Sequence, residues 1–247
     1  MRFIRAALLS VSLLLPTAAG AEFGEPTLVK HPGFVLQDGP NRAKGAIIWS
    51  PGYDTRTGTH PKAATGEMPH FLDWLYGHGW DVYFMERTGG IAFTDRPRHA
   101  AALRNAVSGL KNAGYRSIVL GGQSSGGTYS LLAAEQDLGL HAILLTGSGP
   151  SGAEGSVSFT TLLGQAKARR VAVFHFVNDR TIGQRPKATL ASVLSAKRVP
   201  ALNVHEPRGI EGHGGAFQSA FSLRFGDCIL RFLEPSRQPS GRECDGQ

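Results

Sequence analysis

The sequence predicts an α/β fold: a mostly parallel central sheet with helices on both faces, in a single domain. Three observations carry this. Short apolar runs alternate along the chain with segments whose apolar residues recur every three to four positions. The short runs are apolar throughout rather than alternately apolar and polar, as strands covered on both faces must be. The composition is that of an ordinary globular chain, with 247 residues, 41% hydrophobic and 18% charged, so a sizeable core can be buried.

The elements follow in order. Residues 46–49 form an apolar, partly β-branched run closed by Pro51-Gly52, which predicts a strand. Residues 69–76 carry Phe71, Leu72, Trp74 and Leu75 and end at Gly77 and Gly79, which predicts a helix. A strand is expected over 81–85. A helix over 98–113 follows from Ala102, Leu103, Ala106 and Leu110, ending at Gly114. Further strands are expected at 117–120, 142–146, 170–177 and 201–205, and further helices at 125–135, 187–196 and 215–232. In parallel sheets ligands sit beyond the carboxyl ends of the strands, so the residues just after each strand are the ones to read for chemistry.

The sharpest of these is Gly122-Gln123-Ser124-Ser125-Gly126, a G-x-S-x-G between a predicted strand and a predicted helix. A turn this tight needs small residues two before and two after the serine, and Gly122 and Gly126 meet that need. Ser124 would project at a helix N-terminus, where backbone N–H groups favour an oxyanion. Centring the turn on Ser125 would put Gln123 where glycine is wanted. The plainer alternative is a glycine-rich turn with a capping serine.

On these residues the chain resembles the α/β-hydrolase superfamily, nearest to its small cap-free, dienelactone-hydrolase-like esterases, over roughly 44–232. The resemblance implies the α/β-hydrolase fold and a chain order of nucleophile, acid, histidine. In that order Asp179 follows the fifth strand within Phe176-Val177-Asn178-Asp179-Arg180 and is expected to orient the histidine; an ordinary Asn-Asp turn is the alternative. Glu154 and Glu206 are weaker candidates. His213 lies in the glycine-rich run 209–215 before the last helix, where the resemblance places the general base. His175 and His205 fall inside predicted strands, and His31, His60, His70, His78, His99 and His141 lie outside that loop. Two backbone N–H groups are expected to form the oxyanion hole: Ser125, after the nucleophile, and Tyr53, in the loop after the first strand. Many relatives have His-Gly there, whereas this chain has Pro51-Gly52, so the match is partial.

Two other patterns carry less. Residues 147–152 match G-x-G-x-x-G, but Pro150 opposes an immediate helix and no acid stands about 20 residues on, so nucleotide binding is not expected. Lys167-Ala-Arg-Arg170 reads as a solvated rim. The net charge is +7 without a long run of like charge, which argues against a nucleic-acid partner. No histidine pair has a metal-ligand spacing such as H-E-x-x-H, and the expected chemistry needs neither metal nor cofactor.

Residues 1–21 read as a secretory signal peptide. Arg2 and Arg5 precede an apolar run that Pro16 closes, and Ala19-Gly20-Ala21 fits a small-residue cleavage site. The run is shorter than the ~20 residues a membrane span requires, so a stable anchor is not expected. The organisation is then a signal peptide at 1–21, a lead-in at 22–43, an α/β-hydrolase domain at 44–234 and a polar tail at 235–247. Export, to the periplasm or beyond the cell, would let the two cysteines, Cys228 and Cys244, form a disulfide that ties the tail back. Only a short segment, 147–168, is free to form a cap, so an open site admitting small esters or polymer ends is expected, with Tyr53, Phe93 and Phe217 as candidate wall residues by position. The function implied is an exported serine hydrolase of carboxylic esters. A peptidase or amidase with the same triad, or a non-catalytic binding protein on the same fold, are the alternatives.

Overall fold

The computed structural model describes residues 25–34, 36–53, 59–64, 66–87, 95–148, 158–181, 187–237 and 244. The signal-peptide reading, Phe93, Glu154 and most of the 147–152 run lie outside them. Seven strands form one sheet in the order β1-β3-β2-β4-β5-β6-β7. They are β1 (Thr27–Lys30), β2 (Gly45–Ser50), β3 (Trp80–Glu86), β4 (Ile118–Gln123), β5 (Ala142–Thr146), β6 (Val171–His175) and β7 (Ala201–His205). All neighbouring pairs are parallel except β1 with β3.

The helices are α1 (His70–Gly77), α2 (Arg96–Asn112), α3 (Ser125–Ala133), α4 (Phe159–Gln165), α5 (Lys187–Ala196) and α6 (Ser219–Leu233). Their placement follows from the two-residue period of the strands. Ile47, Trp49, Val82, Phe84, Leu144 and Phe174 point to one face, where they meet Phe71 and Leu75 of α1 and Phe221, Phe225 and Phe232 of α6. Ala46, Ile48, Leu120, Ile143, Leu145 and Val173 point to the other. There they meet α2 through Leu103 and Val107, α3 through Leu131, α4 through Leu162 and α5 through Leu190. Both faces are thus covered, and every residue of β2, β4, β5 and β6 is buried.

Three differences from the sequence expectations have physical causes. The stretch 22–43 contains a strand, β1, which was not expected. It is only four residues long, half exposed and antiparallel at the sheet edge, so it lacks the apolar run that marks the inner strands. Helix α4 was also not expected, because its seven residues include two threonines and a glycine. A cap holds it instead, Ser158 Oγ accepting from the N–H of Thr161. The last helix begins at Ser219, not Gly215. Residues Gly215–Phe217 make a short 3-10 turn, and Gln218 is extended at φ −74 and ψ 137, which breaks the run.

Cys228 of α6 and Cys244 are paired, with a Cα–Cα distance of 5.6 Å that suits a disulfide. The end of α6 is held independently by Arg170, whose guanidinium donates to the carbonyls of Glu234 at 2.7 Å and Arg237. No described helix is long and apolar enough to cross a membrane.

The strand order changes direction at β2: the chain steps outward to β3, then returns to place β4 on the other side. Ser50 at the end of β2 therefore lies opposite Gly122 near the end of β4, at the crevice where such sheets bind ligands.

Candidate active site

Ser124 stands between the last residue of β4 and the first of α3, at φ 54 and ψ −128. Positive φ is unfavourable for a residue with a Cβ, so this turn is a strained one held by its surroundings. The flanking glycines make it feasible. A Cβ on Gly122 would stand 2.5 Å from the backbone of Gly126 and Gly127, and one on Gly126 would run into the carbonyls of Ser50 and Pro51. Ser124 N–H donates to the Gly147 carbonyl at 3.2 Å, and its own carbonyl accepts from Gly127 at 3.1 Å. Ser148 Oγ adds a bond to the Gly122 carbonyl at 3.0 Å. As the first residue of α3, Ser125 has an N–H without an intrahelical acceptor.

Asp179 and His213 meet beside this turn. His213 Nδ1 lies 3.0 Å from Asp179 Oδ2 and 3.1 Å from Oδ1. The Asp179 side chain is 3% exposed and that of His213 is 26% exposed, so the carboxylate is enclosed while the imidazole reaches solvent. The Asp179 Oδ1 also accepts from the Thr181 N–H at 3.0 Å. The two loops that carry the pair are joined: Gly212 N–H donates to the Val177 carbonyl at 2.7 Å, and Asn178 Nδ2 donates to Glu211 Oε2 at 3.0 Å. Asn178 takes φ 57, a setting that asparagine tolerates better than most residues, and this turns the chain so that Asp179 faces inward.

The pair is tied to the serine turn from below. Gln123 Nε2, one residue before Ser124, donates to the His213 carbonyl at 3.2 Å. A Cβ on Gly147, which has φ 48, would stand 3.1 Å from that carbonyl and 3.5 Å from Asp179 Oδ2. With Nδ1 turned to the carboxylate, Nε2 is the nitrogen left to exchange a proton.

No protein family model matches the chain, and no curated protein is similar to it in sequence. Solved structures are similar to it in three dimensions. One, named a dienelactone hydrolase and from Klebsiella pneumoniae, has a TM-score of 0.55 at 16% identity, over 80% of this chain and 88% of its own. The acetyl ester-xyloside bifunctional hydrolase of Caldicellulosiruptor lactoaceticus has a TM-score of 0.58 at 16% identity, over 85% and 87%. The acylaminoacyl peptidase of Pyrococcus horikoshii reaches 0.63 at 13% identity, over 90% of this chain and 44% of its own. The fold is the α/β-hydrolase fold.

Within the α/β-hydrolase fold the loop after β2 borders the serine turn. A Cβ on Gly52 would stand 3.1 Å from Ser124 Cβ. Tyr53 follows directly, with its ring 5.2 Å from that of His60 in an edge-on contact. Neither the Gly52 nor the Tyr53 N–H is taken up by a backbone acceptor among the described residues. Phe217 is half-buried in the 3-10 turn four residues after His213. Glu206, by contrast, caps β7 in the left-handed region, bonded through its N–H to the His175 carbonyl at 2.7 Å, away from the pair. His175 and His205 pack ring to ring at 5.9 Å as strand residues.

Sequence reading did not single out Gln123, Gly147 or Arg87. Gln123 and Gly147 touch the site through backbone partners distant in the chain, and a sequence pattern carries no sign of such partners. Arg87 follows β3 directly and is 2% exposed; as one charge after a strand it reads like a solvated end. Among the described residues no group of three or more His, Cys, Asp or Glu side chains is arranged to hold a metal ion.

Proposed function

We propose that the protein is an exported serine hydrolase that cleaves carboxylic esters through an acyl-enzyme on Ser124. One observation carries the reading. A serine in a strained strand-to-helix turn stands beside a buried aspartate that holds a histidine at 3.0 Å, all at the carboxyl edge of the sheet.

In this reading His213 Nε2 takes the proton of Ser124 Oγ as that oxygen attacks the acyl carbon. The carbonyl oxygen becomes an oxyanion, held by the N–H groups of Ser125 and Tyr53. The imidazolium returns its proton to the departing alkoxide, releasing an alcohol. Water, deprotonated by His213, then attacks the acyl-enzyme and frees the acid and Ser124. Asp179 stays ionised, fixes the His213 tautomer and offsets the charge that forms on the ring. The chain's own groups supply every proton transfer, so the mechanism calls on no metal or cofactor. Export is supported by the pattern of residues 1–21 and by the Cys228–Cys244 pair.

Amide cleavage is the second reading, because the solved structure with a TM-score of 0.63 is a peptidase. That peptidase chain is more than twice as long as the part matched here. An amine is also a poorer leaving group, which places greater demands on protonation by His213. The deciding experiment treats the purified protein with a fluorophosphonate and maps the adduct by mass spectrometry. Stoichiometric modification of Ser124, absent in His213→Ala, is expected. Matched p-nitrophenyl ester and p-nitroanilide substrates then separate the two readings. A folded sample that is not modified at Ser124 sinks both, and leaves a binding role on the same fold.

A further inference from the structure

Arg87 lies inside the protein without a carboxylate partner among the described residues. Its Nη2 donates to the carbonyls of Pro51 and Gly52, the latter at 3.4 Å. The guanidinium carbon lies over the Tyr129 ring of α3, 4.6 Å from its centre. Nε and Nη1 have no hydrogen-bond partner among the described residues. Enclosing a cation in this way is costly, and the two carbonyl dipoles and the Tyr129 ring offset part of that cost. Burial pulls the guanidinium down to about 10, so it still carries its charge at neutral pH.

The two carbonyls it grips belong to the loop beside Ser124. A trans peptide is planar, with its C=O and the following N–H pointing opposite ways. Fixing the Pro51 carbonyl therefore fixes the Gly52 N–H, and fixing the Gly52 carbonyl fixes the Tyr53 N–H, both turned away from Arg87. The serine turn is the near neighbour of that loop, with the Gly52 Cβ position 3.1 Å from Ser124 Cβ. The charge on Arg87 also polarises both peptide groups, which strengthens their N–H groups as donors.

We infer that Arg87 is the positioning residue of the oxyanion hole: its Nη2, shared between the Pro51 and Gly52 carbonyls, aims the Tyr53 N–H at the oxyanion formed over Ser124. The inference rests on the ester-hydrolase reading above and deepens it. Tyr129 holds the guanidinium from behind as a cation–π partner.

The experiment compares wild type with Arg87→Gln and Arg87→Lys, each checked for thermal unfolding and for fluorophosphonate modification of Ser124. Three quantities are read: kcat and KM for a p-nitrophenyl ester, and inhibition by a trifluoromethyl ketone, which forms a tetrahedral oxyanion adduct. Arg87→Gln should lower kcat about 10²- to 10³-fold with KM within about twofold, and weaken the ketone by a similar factor. Arg87→Lys should recover part of the loss, since it keeps the charge but loses the planar guanidinium that rests over Tyr129 and fixes the direction of Nη2. A folded Arg87→Gln with kcat and ketone affinity near wild type overturns the inference. So does a loss that appears equally in KM, or that is the same for Lys and Gln and tracks the unfolding temperature. If Arg87→Gln does not fold, Tyr129→Leu takes its place, and an unchanged kcat there overturns the inference as well. Wild type that neither reacts at Ser124 nor turns over esters overturns the hydrolase reading itself. A normal wild type with indifferent Arg87 variants removes only the role of Arg87.

Discussion

Asp179 is held in a way that suits the part proposed for it. It is enclosed, bonded to Thr181 N–H on one side and to His213 on the other, so its carboxylate has few other conformations to adopt. Asp179→Asn keeps the shape but puts an amide where the imidazole N–H must donate. The His213 ring then turns to the wrong tautomer, and kcat on a p-nitrophenyl ester should fall about 10³- to 10⁴-fold with little change in the unfolding temperature. A loss under tenfold in a folded variant would refute the orienting role. The parts proposed for Ser124, Asp179 and His213 were legible because each sits in a loop after a strand and in a fixed chain order. Gln123 and Arg87 were not. Their duties are to carbonyls 90 and about 35 positions away in the chain, and neither residue type is unusual where it stands.

At the scale of elements, legibility tracks local contrast between apolar and polar or breaking residues. Strands β5 and β7 and helix α5 fall where the sequence predicts them, at 142–146, 201–205 and 187–196. Their limits are set by polar or proline residues beside clear apolar runs. The edge strand β1 and the short helix α4 carry no such contrast, and are held by pairing to β3 and by the Ser158 cap. The C-terminal helix α6 depends on two fastenings beyond its buried face, the Arg170 fork and the cysteine pair. The cysteines enclose a separation of 16 residues, for which closing the chain is worth about 3 kcal/mol in the entropy model. Cys244→Ser should therefore lower the unfolding midpoint by roughly 5–10 °C while leaving kcat within about twofold. A midpoint that does not move, measured by scanning calorimetry, would show the tail to be held by Arg170 alone.

The whole molecule carries two buried histidines with an acid liability. His99 packs on Tyr129 at 4.8 Å, and burial, with Arg87, His60 and Arg98 adding repulsion, pulls it down to about 3. Burial and the neighbouring Arg170 pull His141 down to about 4, against an ordinary 6.5 for each. Both are neutral in the folded state across the range where the unfolded chain takes up protons. Stability is therefore full above pH 6.5 and falls as the pH drops from there toward 4, by up to about 1.4 kcal/mol per pH unit for each group. Urea unfolding at pH 7 and pH 5 should show the decline, and His99→Phe should flatten it; an unchanged slope would exclude His99 as its source. A different consequence follows from the backbone at Ser124, where φ is 54. Glycine would adopt that setting without strain, so Ser124→Gly should leave a protein that is inert yet melts no lower than wild type, and by the usual size of such strain a few degrees higher. A lineage released from the need to turn over substrate would gain by drifting to glycine at this position. On the proposed hydrolase reading, the serine found there is, in evolutionary terms, a record of use.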